Sequence, residues 1–441
     1  MSPPGPWIPA PLQALLYLRG PGAFLERCQR RFGDVFTMRV PMTGEVVLVA
    51  APEEVRRVFT GDPAVVLGGA ANEILAPLLG TRSVMLLDGA AHRRQRRLLS
   101  PPFQGERMAA WTPTIAAAVE QEVARLPVGR PFSLHPHMQR LTLEVLLRVV
   151  FGVDEEEGAS VRALCDALET LLAHQAPGLR SLWMVPALQR ELLGLSPWVS
   201  FQRDREAADA LLYARIDRRR REREAGAPAR ADVLDGLLAA RDDDGAPMSS
   251  QEVHDALITL LIAGHETTAT MLCWAFDLIL GDPRVHERLL AEIRGAEAGA
   301  ALPYLEATLK EVLRLRPVIP APGRRLAAPL TVGGHELAAG TMVLPTAYLT
   351  HRSPEHFADP DSFQPERFLG KKLDPHAWFP FGGGPRRCLG ASFAMHEMKV
   401  VVAALLDRVR LRKVHPRPAP MVLRGFTLAP GRGAEVIVDA A

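Results

Sequence analysis

The chain has 441 residues, 48% of them hydrophobic and 23% charged, with a formal net charge of +2. This is the balance of an ordinary globular protein and excludes a disordered chain or one drawn to nucleic acid by bulk charge. Four widely spaced cysteines (Cys28, Cys165, Cys273, Cys388) form no C-x-x-C pair, which argues against a disulfide framework or zinc finger and suits a reducing compartment. No run of eighteen apolar residues and no signal-like start occur, so neither a transmembrane anchor nor secretion is expected. Five lysines against 47 arginines hint at a GC-rich bacterial genome.

Apolar residues at helical spacing predict a surface helix over 13–31. Strands follow over 35–40 and 45–50, joined as a hairpin by Pro41-Met42-Thr43-Gly44. A short helix over 52–59 has Pro52 near its first position. Residues 60–88 read as an irregular, Gly-rich loop, and long loops in compact proteins are often functional. Helical periodicity then runs from about 90 to 316, broken by Pro and Gly clusters near 127–137, 176–197 and 225–231. The charge-dense stretch 215–224 reads as a solvated helix end, because it lacks interleaved aromatics. Residues 317–350 turn strand-like, with a turn at Val332-Gly333-Gly334. A Pro- and Phe-rich meander, a helix near 391–408 and a terminal strand region complete the chain.

One run carries more chemistry than the rest: Phe381-Gly382-Gly383-Gly384-Pro385-Arg386-Arg387-Cys388-Leu389-Gly390. It sets a single thiol in a Gly-rich loop at the start of an apolar helix. Glycines allow sharp turns and close approach, and a helix N-terminus favours a negative sulfur. A lone thiolate on iron is a known heme ligation. A phosphate loop would need Gly-Lys-Ser/Thr, which is missing. A second run, Ala263-Gly264-His265-Glu266-Thr267-Thr268, lies inside an apolar helix predicted over about 249–280. Glycine, two threonines and a carboxylate are costly there and tend to mark function. The zinc-protease pattern His-Glu-x-x-His fails, because the second histidine's place is Ala269.

Phe381-x-x-Gly384-x-Arg386-x-Cys388-x-Gly390 resembles the heme-binding loop of the cytochrome P450 superfamily, with every fixed position filled. The resemblance implies heme b (iron protoporphyrin IX) with Cys388 on the metal, Phe381 near the sulfur and Arg386 on a propionate. The second run is similar to the family's oxygen-activating helix. That likeness implies that Gly264 leaves room over the heme, Thr267 bonds bound dioxygen and its water, and Glu266 relays protons. Glu311, Arg314 and Arg367 match the family's structural triad. His92 and Arg96, at i and i+4, match its propionate-binding positions, with Arg324 or its neighbour Arg325 as a third. Val66, Leu67, Leu257, Leu261, Val318, Ile319 and Phe426 are pocket candidates by family position. Arg93, Arg94, Arg97, Arg387 and Lys399 would form a basic docking face.

The motifs span 92–390 in the family's order, which implies a single domain over 1–441. Its fold would be mainly α, a triangular prism of helices with a small β-rich lobe from about 34–50 and 318–350. The implied activity is a soluble, cytoplasmic, monomeric monooxygenase that takes two electrons from a ferredoxin or flavodoxin. It would activate dioxygen and hydroxylate or epoxidise an apolar molecule such as a fatty acid, terpenoid or polyketide. Rival readings are a peroxide-driven heme-thiolate enzyme, which tends to lack the acid–alcohol pair, and a heme-based gas sensor or carrier, which needs no proton relay. No nucleic acid is expected as a partner.

Overall fold

The computed structural model describes residues 2–41, 43–103, 106–152, 158–175, 183, 189, 196–297 and 299–439. The chain divides into two compact units: Met1–Ala71 with Ile115–Thr142 and Glu266–Ala441, and Asn72–Thr114 with Leu143–His265.

The first unit holds a five-stranded sheet. Val35–Val40 pairs antiparallel with Gly44–Val49, the hairpin expected from alternation. Gly44–Val49 then pairs in parallel with Met342–Pro345, in the register Val46 opposite Met342. Arg324–Leu326 and the two-residue strand Val66–Leu67 complete the far edge. One face of the sheet buries Val47, Val49 and Val343 with Val55, Val58 and Phe59 of the Pro52–Thr60 helix. The other buries Phe36, Met38, Val46 and Leu48 against Phe24, Leu25 and Cys28. Burial on both faces explains why these strands are almost wholly Val, Leu, Phe and Met.

The single helix expected over 13–31 is two, Ala10–Arg19 and Pro21–Phe32. Pro21 has no N–H to donate and biases Gly20 away from helical angles, so the chain breaks there and restarts with Pro21 at the first position. The second helix is not a surface element, since it supplies the buried Phe24, Leu25 and Cys28. The loop read over 60–88 contains the Val66–Leu67 strand, a 3-10 turn at Ala70–Leu75 and a short helix, Ala76–Leu79.

In the second unit Pro197–Glu224 is the longest helix wholly contained there among the described residues. Its charge-rich end is not simply solvated. Arg219 is buried, donating to Asp232 at 2.7 Å and to the Phe151 carbonyl at 3.1 Å, and Arg223 pairs with Asp235 at 2.5 Å. These arginines pin the helix to the Val233–Ala239 helix and satisfy an orphan carbonyl at the end of the His135–Phe151 helix. Most of the break expected near 176–197 lies outside the described residues.

Ser250–Ile279 is one continuous helix belonging to both units in sequence. By length and composition it could cross a membrane, a possibility the count of consecutive apolar residues missed. Yet 67% of its most apolar stretch is buried inside the fold, as in the core helix of a globular protein. Asp282 stops it by capping the next helix, Pro283–Gly295, through the Val285 N–H at 3.2 Å.

Candidate active site

Cys388 lies three residues before the Ala391–Arg408 helix, and it is the exposed one of the four cysteines. Burial pushes the thiols of Cys28 and Cys273 up, and that of Cys165 to about 11. Those three are therefore poor thiolate donors at neutral pH. The Cys388 N–H donates to the Phe381 carbonyl at 2.8 Å and closes the loop. Within it Gly384 has φ +64°, and a β-carbon there would collide with the Phe59 carbonyl; one on Gly383 would strike the Phe59 ring. Glycine is thus required for the loop to lie on the Pro52–Thr60 helix. Gly390, by contrast, caps the helix at φ −85° with open space around it, and nothing in the protein alone demands glycine.

Two cations belong to the same unit. Arg386 packs so closely on Gly68 that a β-carbon there would meet its Nε at 2.8 Å. Arg324 is buried, donates to the Gly323 carbonyl at 2.7 Å and lies 5.5 Å from the centre of the Phe59 ring. Arg325 is committed elsewhere, to the Ala70 carbonyl at 3.3 Å. No cluster of three or more His, Cys, Asp or Glu side chains that could hold a metal occurs among the described residues. An accessible thiol with two arginines in the same unit suits an iron porphyrin bearing carboxylates.

The triad lies in the same unit. Arg314 and Glu311 are both fully buried and joined bidentately at 2.7 and 2.8 Å. Arg367 reaches the same carboxylate at 3.3 Å, and the Gln364 N–H does so at 2.9 Å. Arg314 also donates to the carbonyls of His351, Pro360 and Ser362. His351 was not singled out in the sequence. Its Nε2 accepts the Phe379 N–H at 2.9 Å, so one residue ties the triad to the segment leading into the cysteine loop. Burial, with Arg314 and Arg352 nearby, lowers His351 to about 3, so it is neutral.

Glu266, also in the first unit, accepts from Gln139 Nε2 at 2.7 Å, and His135 Nε2 lies 3.1 Å away. Thr267 follows it on the helix, half-buried. In the second unit His92 is buried on the Gly89–Leu99 helix and Arg96 lies one turn on. Between them Gln95 is buried with neither amide atom hydrogen-bonded, a polar group that calls for a partner. A β-carbon on Gly264 would stand 3.1 Å from the methyls of Leu146, so this glycine also serves packing.

The pocket candidates are divided between the units. Leu257 and Leu261 are buried in the second. In the first, the Leu428 N–H bonds the Val318 carbonyl at 2.8 Å, drawing the hairpin that carries Phe426 toward Val318 and Ile319. Phe426 is 43% exposed at its tip, while Val66 and Leu67 lie at the sheet edge. The expected docking face is partly spent on local pairs. Arg94 binds Asp242 and Glu252 at 2.6 Å each, Arg97 binds Asp243 at 2.5 Å, and Lys399 meets Glu306 at 3.3 Å. Arg93 and Arg387 are exposed.

The chain matches the family model described as Cytochrome P450 over residues 3–434. It is 41% identical over 441 residues to the provisionally named cytochrome P450 135B1 of Mycobacterium tuberculosis, covering 99% of this chain and 91% of that protein. A second protein of that organism, provisionally named cytochrome P450 137, is 37% identical over 445 residues, with 99% and 90% covered. Among solved structures, retinoic acid bound cyanobacterial CYP120A1 matches with a TM-score of 0.83 at 26% identity, over 99% of each chain.

Proposed function

We propose, proceeding from the fact that this chain belongs to the cytochrome P450 family, that Cys388 ligates the iron of heme b and that the protein oxidises an apolar small molecule. Members of the family are heme-thiolate monooxygenases, and bound heme b supplies the oxygen chemistry that side chains cannot. What the chain adds is ligation, orientation and proton handling. Arg386, Arg324, His92 and Arg96 are assigned to the propionates, where forked guanidinium donors suit carboxylates. Arg324 is preferred to Arg325, whose Nε is occupied by Ala70. Glu266 keeps an 18% exposed side chain, so it can take a proton from solvent and hand it to the Thr267 hydroxyl. The triad Glu311, Arg314 and Arg367 braces the loop rather than touching the reaction. The family model runs through both units, which supports reading them as one catalytic domain.

For the substrate we favour an elongated apolar molecule of the fatty-acid or terpenoid class. The apolar candidates Val66, Leu67, Val318, Ile319 and Phe426 of the first unit and Leu257 and Leu261 of the second suit it, and Gly264 would spare room for the heme. The retinoic acid in the structural neighbour's name is of that chemistry. Electrons would come from a small acidic ferredoxin or flavodoxin, with exposed Arg93 and Arg387 as its first contacts.

The observation that carries the reading is the accessible Cys388 in a glycine-dependent loop, set against three thiols that burial keeps protonated. The test is the ferrous protein under carbon monoxide. A red-shifted absorption of the thiolate kind, lost in Cys388→Ser, is expected, and its absence in the native protein would end the proposal.

A further inference from the structure

Glu266 stands at the end of a chain of oriented groups within the first unit. Its carboxylate accepts from Gln139 Nε2 at 2.7 Å and from the Thr270 hydroxyl at 3.3 Å, and it faces His135 Nε2 at 3.1 Å. The His135 side chain is only 2% exposed. Arg424 Nη1 lies 2.7 Å from His135 Nδ1 and 3.3 Å from Nε2, over the ring rather than in line with the lone pair of either nitrogen.

A carboxylate can only accept. The Nε2 that faces Glu266 must therefore carry the proton, which leaves Nδ1 bare in a neutral ring. The histidine and its arginine neighbour are themselves fixed. The His135 N–H donates to the Gly433 carbonyl at 3.0 Å, at the start of its helix. Arg424 ends the strand Met421–Arg424, and its carbonyl accepts from Thr427 Oγ1 at 2.9 Å. A β-carbon on Gly433 would meet His135 Cβ at 3.1 Å, so the C-terminal segment presses directly on the histidine.

We propose that His135, packed against Arg424 and protonated on the Nε2 that faces Glu266, is a positioning residue that holds the Glu266 carboxylate in the one orientation from which protons are passed. The inference rests on the reading of Glu266 as a proton relay. It adds two residues 289 positions apart in the chain, neither of which reacts. A carboxylate free to rotate would spend only part of its time aligned for transfer, and a misalignment of about 1 Å can cost on the order of 100-fold in rate. Orientation is what a buried, single-tautomer imidazole supplies.

The test uses the full-length, heme-loaded protein. In the diamagnetic ferrous carbonyl form with 15N-labelled histidine, the His135 signals, assigned by their loss in His135→Gln, should show a bare Nδ1 and a protonated Nε2. A protonated Nδ1 overturns the inference. With 13C-labelled glutamate, the Glu266 carboxyl signal, assigned by Glu266→Gln, should shift in His135→Phe. It should stay near its native place in His135→Gln, whose amide can accept from Arg424 and donate to Glu266. A signal that does not move in His135→Phe overturns the inference as well.

The third readout is NADPH consumption with a surrogate ferredoxin system in air, without added organic substrate, in H2O and D2O. Glu266→Gln and His135→Phe should each slow it, by about tenfold or more, with the same altered solvent isotope effect. The double variant should be no slower than either, and His135→Gln should recover most of the rate. If Glu266→Gln leaves the rate unchanged, the relay reading falls and takes the inference with it. If Glu266→Gln is slow but His135→Phe is not, the inference alone falls.

Discussion

Gly80 and Asp255 compete for one space: a β-carbon on Gly80 would fall inside the Asp255 carboxylate. Gly80 also has φ +79°, so glycine is required twice over. The close approach lets Asp255 accept the Arg82 N–H at 2.8 Å, and Ser83 meets Thr259 at 2.8 Å one turn along the helix. Arg205 adds bonds to the carbonyls of Pro77 and Leu78. Gly80→Ala should therefore cost about 2–4 kcal/mol, read as a lowered thermal midpoint. A variant that melts with the native protein would show that the segment is held some other way.

The same cluster makes stability depend on pH. His254 is buried, with Nε2 2.9 Å from Asp209 and Nδ1 2.9 Å from Asp255, and Tyr213 stacks on its ring. Burial alone would lower it, but its bonds to the two carboxylates outweigh that, and it sits above its ordinary value despite the nearby charge of Arg205. Burial would raise Asp209, yet His254 and Arg205 hold it below the usual range. The His254 contribution is complete below about pH 6.5 and is lost as pH rises through its raised value. That of Asp209 is present above about pH 3.8 and is lost as pH falls through its lowered value. His254→Asn should flatten the alkaline limb of the stability profile. An unchanged limb would assign it to other groups.

Glu397 lies on the helix that follows the cysteine loop, fully buried, and neither carboxyl oxygen has a hydrogen-bond partner among the described residues. Burial raises it to about 8, so it is mostly uncharged at neutral pH. The sign here is the reverse of a paired carboxylate. The unfolded chain ionises first, and stability drains away as pH climbs from about 4.5 toward 8. Glu397→Gln should melt higher than the native protein at pH 8, by up to a few kcal/mol, and the gain should vanish near pH 4.5. Equal melting at pH 8 would mean that the carboxyl has found a partner.

Glu311 is shared by Arg314, Arg367 and the Gln364 N–H. Removing one member of a buried ion cluster strands the others, at about 3–5 kcal/mol. Glu311→Ala should yield protein with little heme, measured as the ratio of heme to protein absorbance. His351→Ala, which cuts the link between Arg314 and the Phe379 N–H, should lower that ratio less and lower the thermal midpoint as well. Full heme content in Glu311→Ala would remove the bracing role.

The parts legible in the sequence are those whose chemistry is local. Cys388, Gly384 and Arg386 are read within one short run, and the backbone angle of Gly384 supplies the reason. Glu311 and Arg314 are one helical turn apart, so their pairing follows from spacing. What escaped were contacts whose partners are far apart in the chain. Nothing local says that His135 faces Glu266, 131 residues on, or that Arg424 packs on its ring. The break at Gly20–Pro21 was readable but was outweighed by the apolar periodicity on either side. The buried Arg219 was hidden because a run of arginines looks solvated until its carboxylates, Asp232 and Asp235, are known to fold back.

The parallel pairing of Gly44–Val49 with Met342–Pro345 carries a consequence for how the molecule is made. An amino-terminal hairpin emerging from the ribosome cannot complete its sheet until nearly three hundred further residues have been translated, on the order of 15–60 s at ordinary elongation speeds. Throughout that interval an apolar edge stands open, a template for mispairing with other nascent chains. Yield in a heterologous host should therefore respond to slower growth and added chaperone more than to any change at the reaction centre.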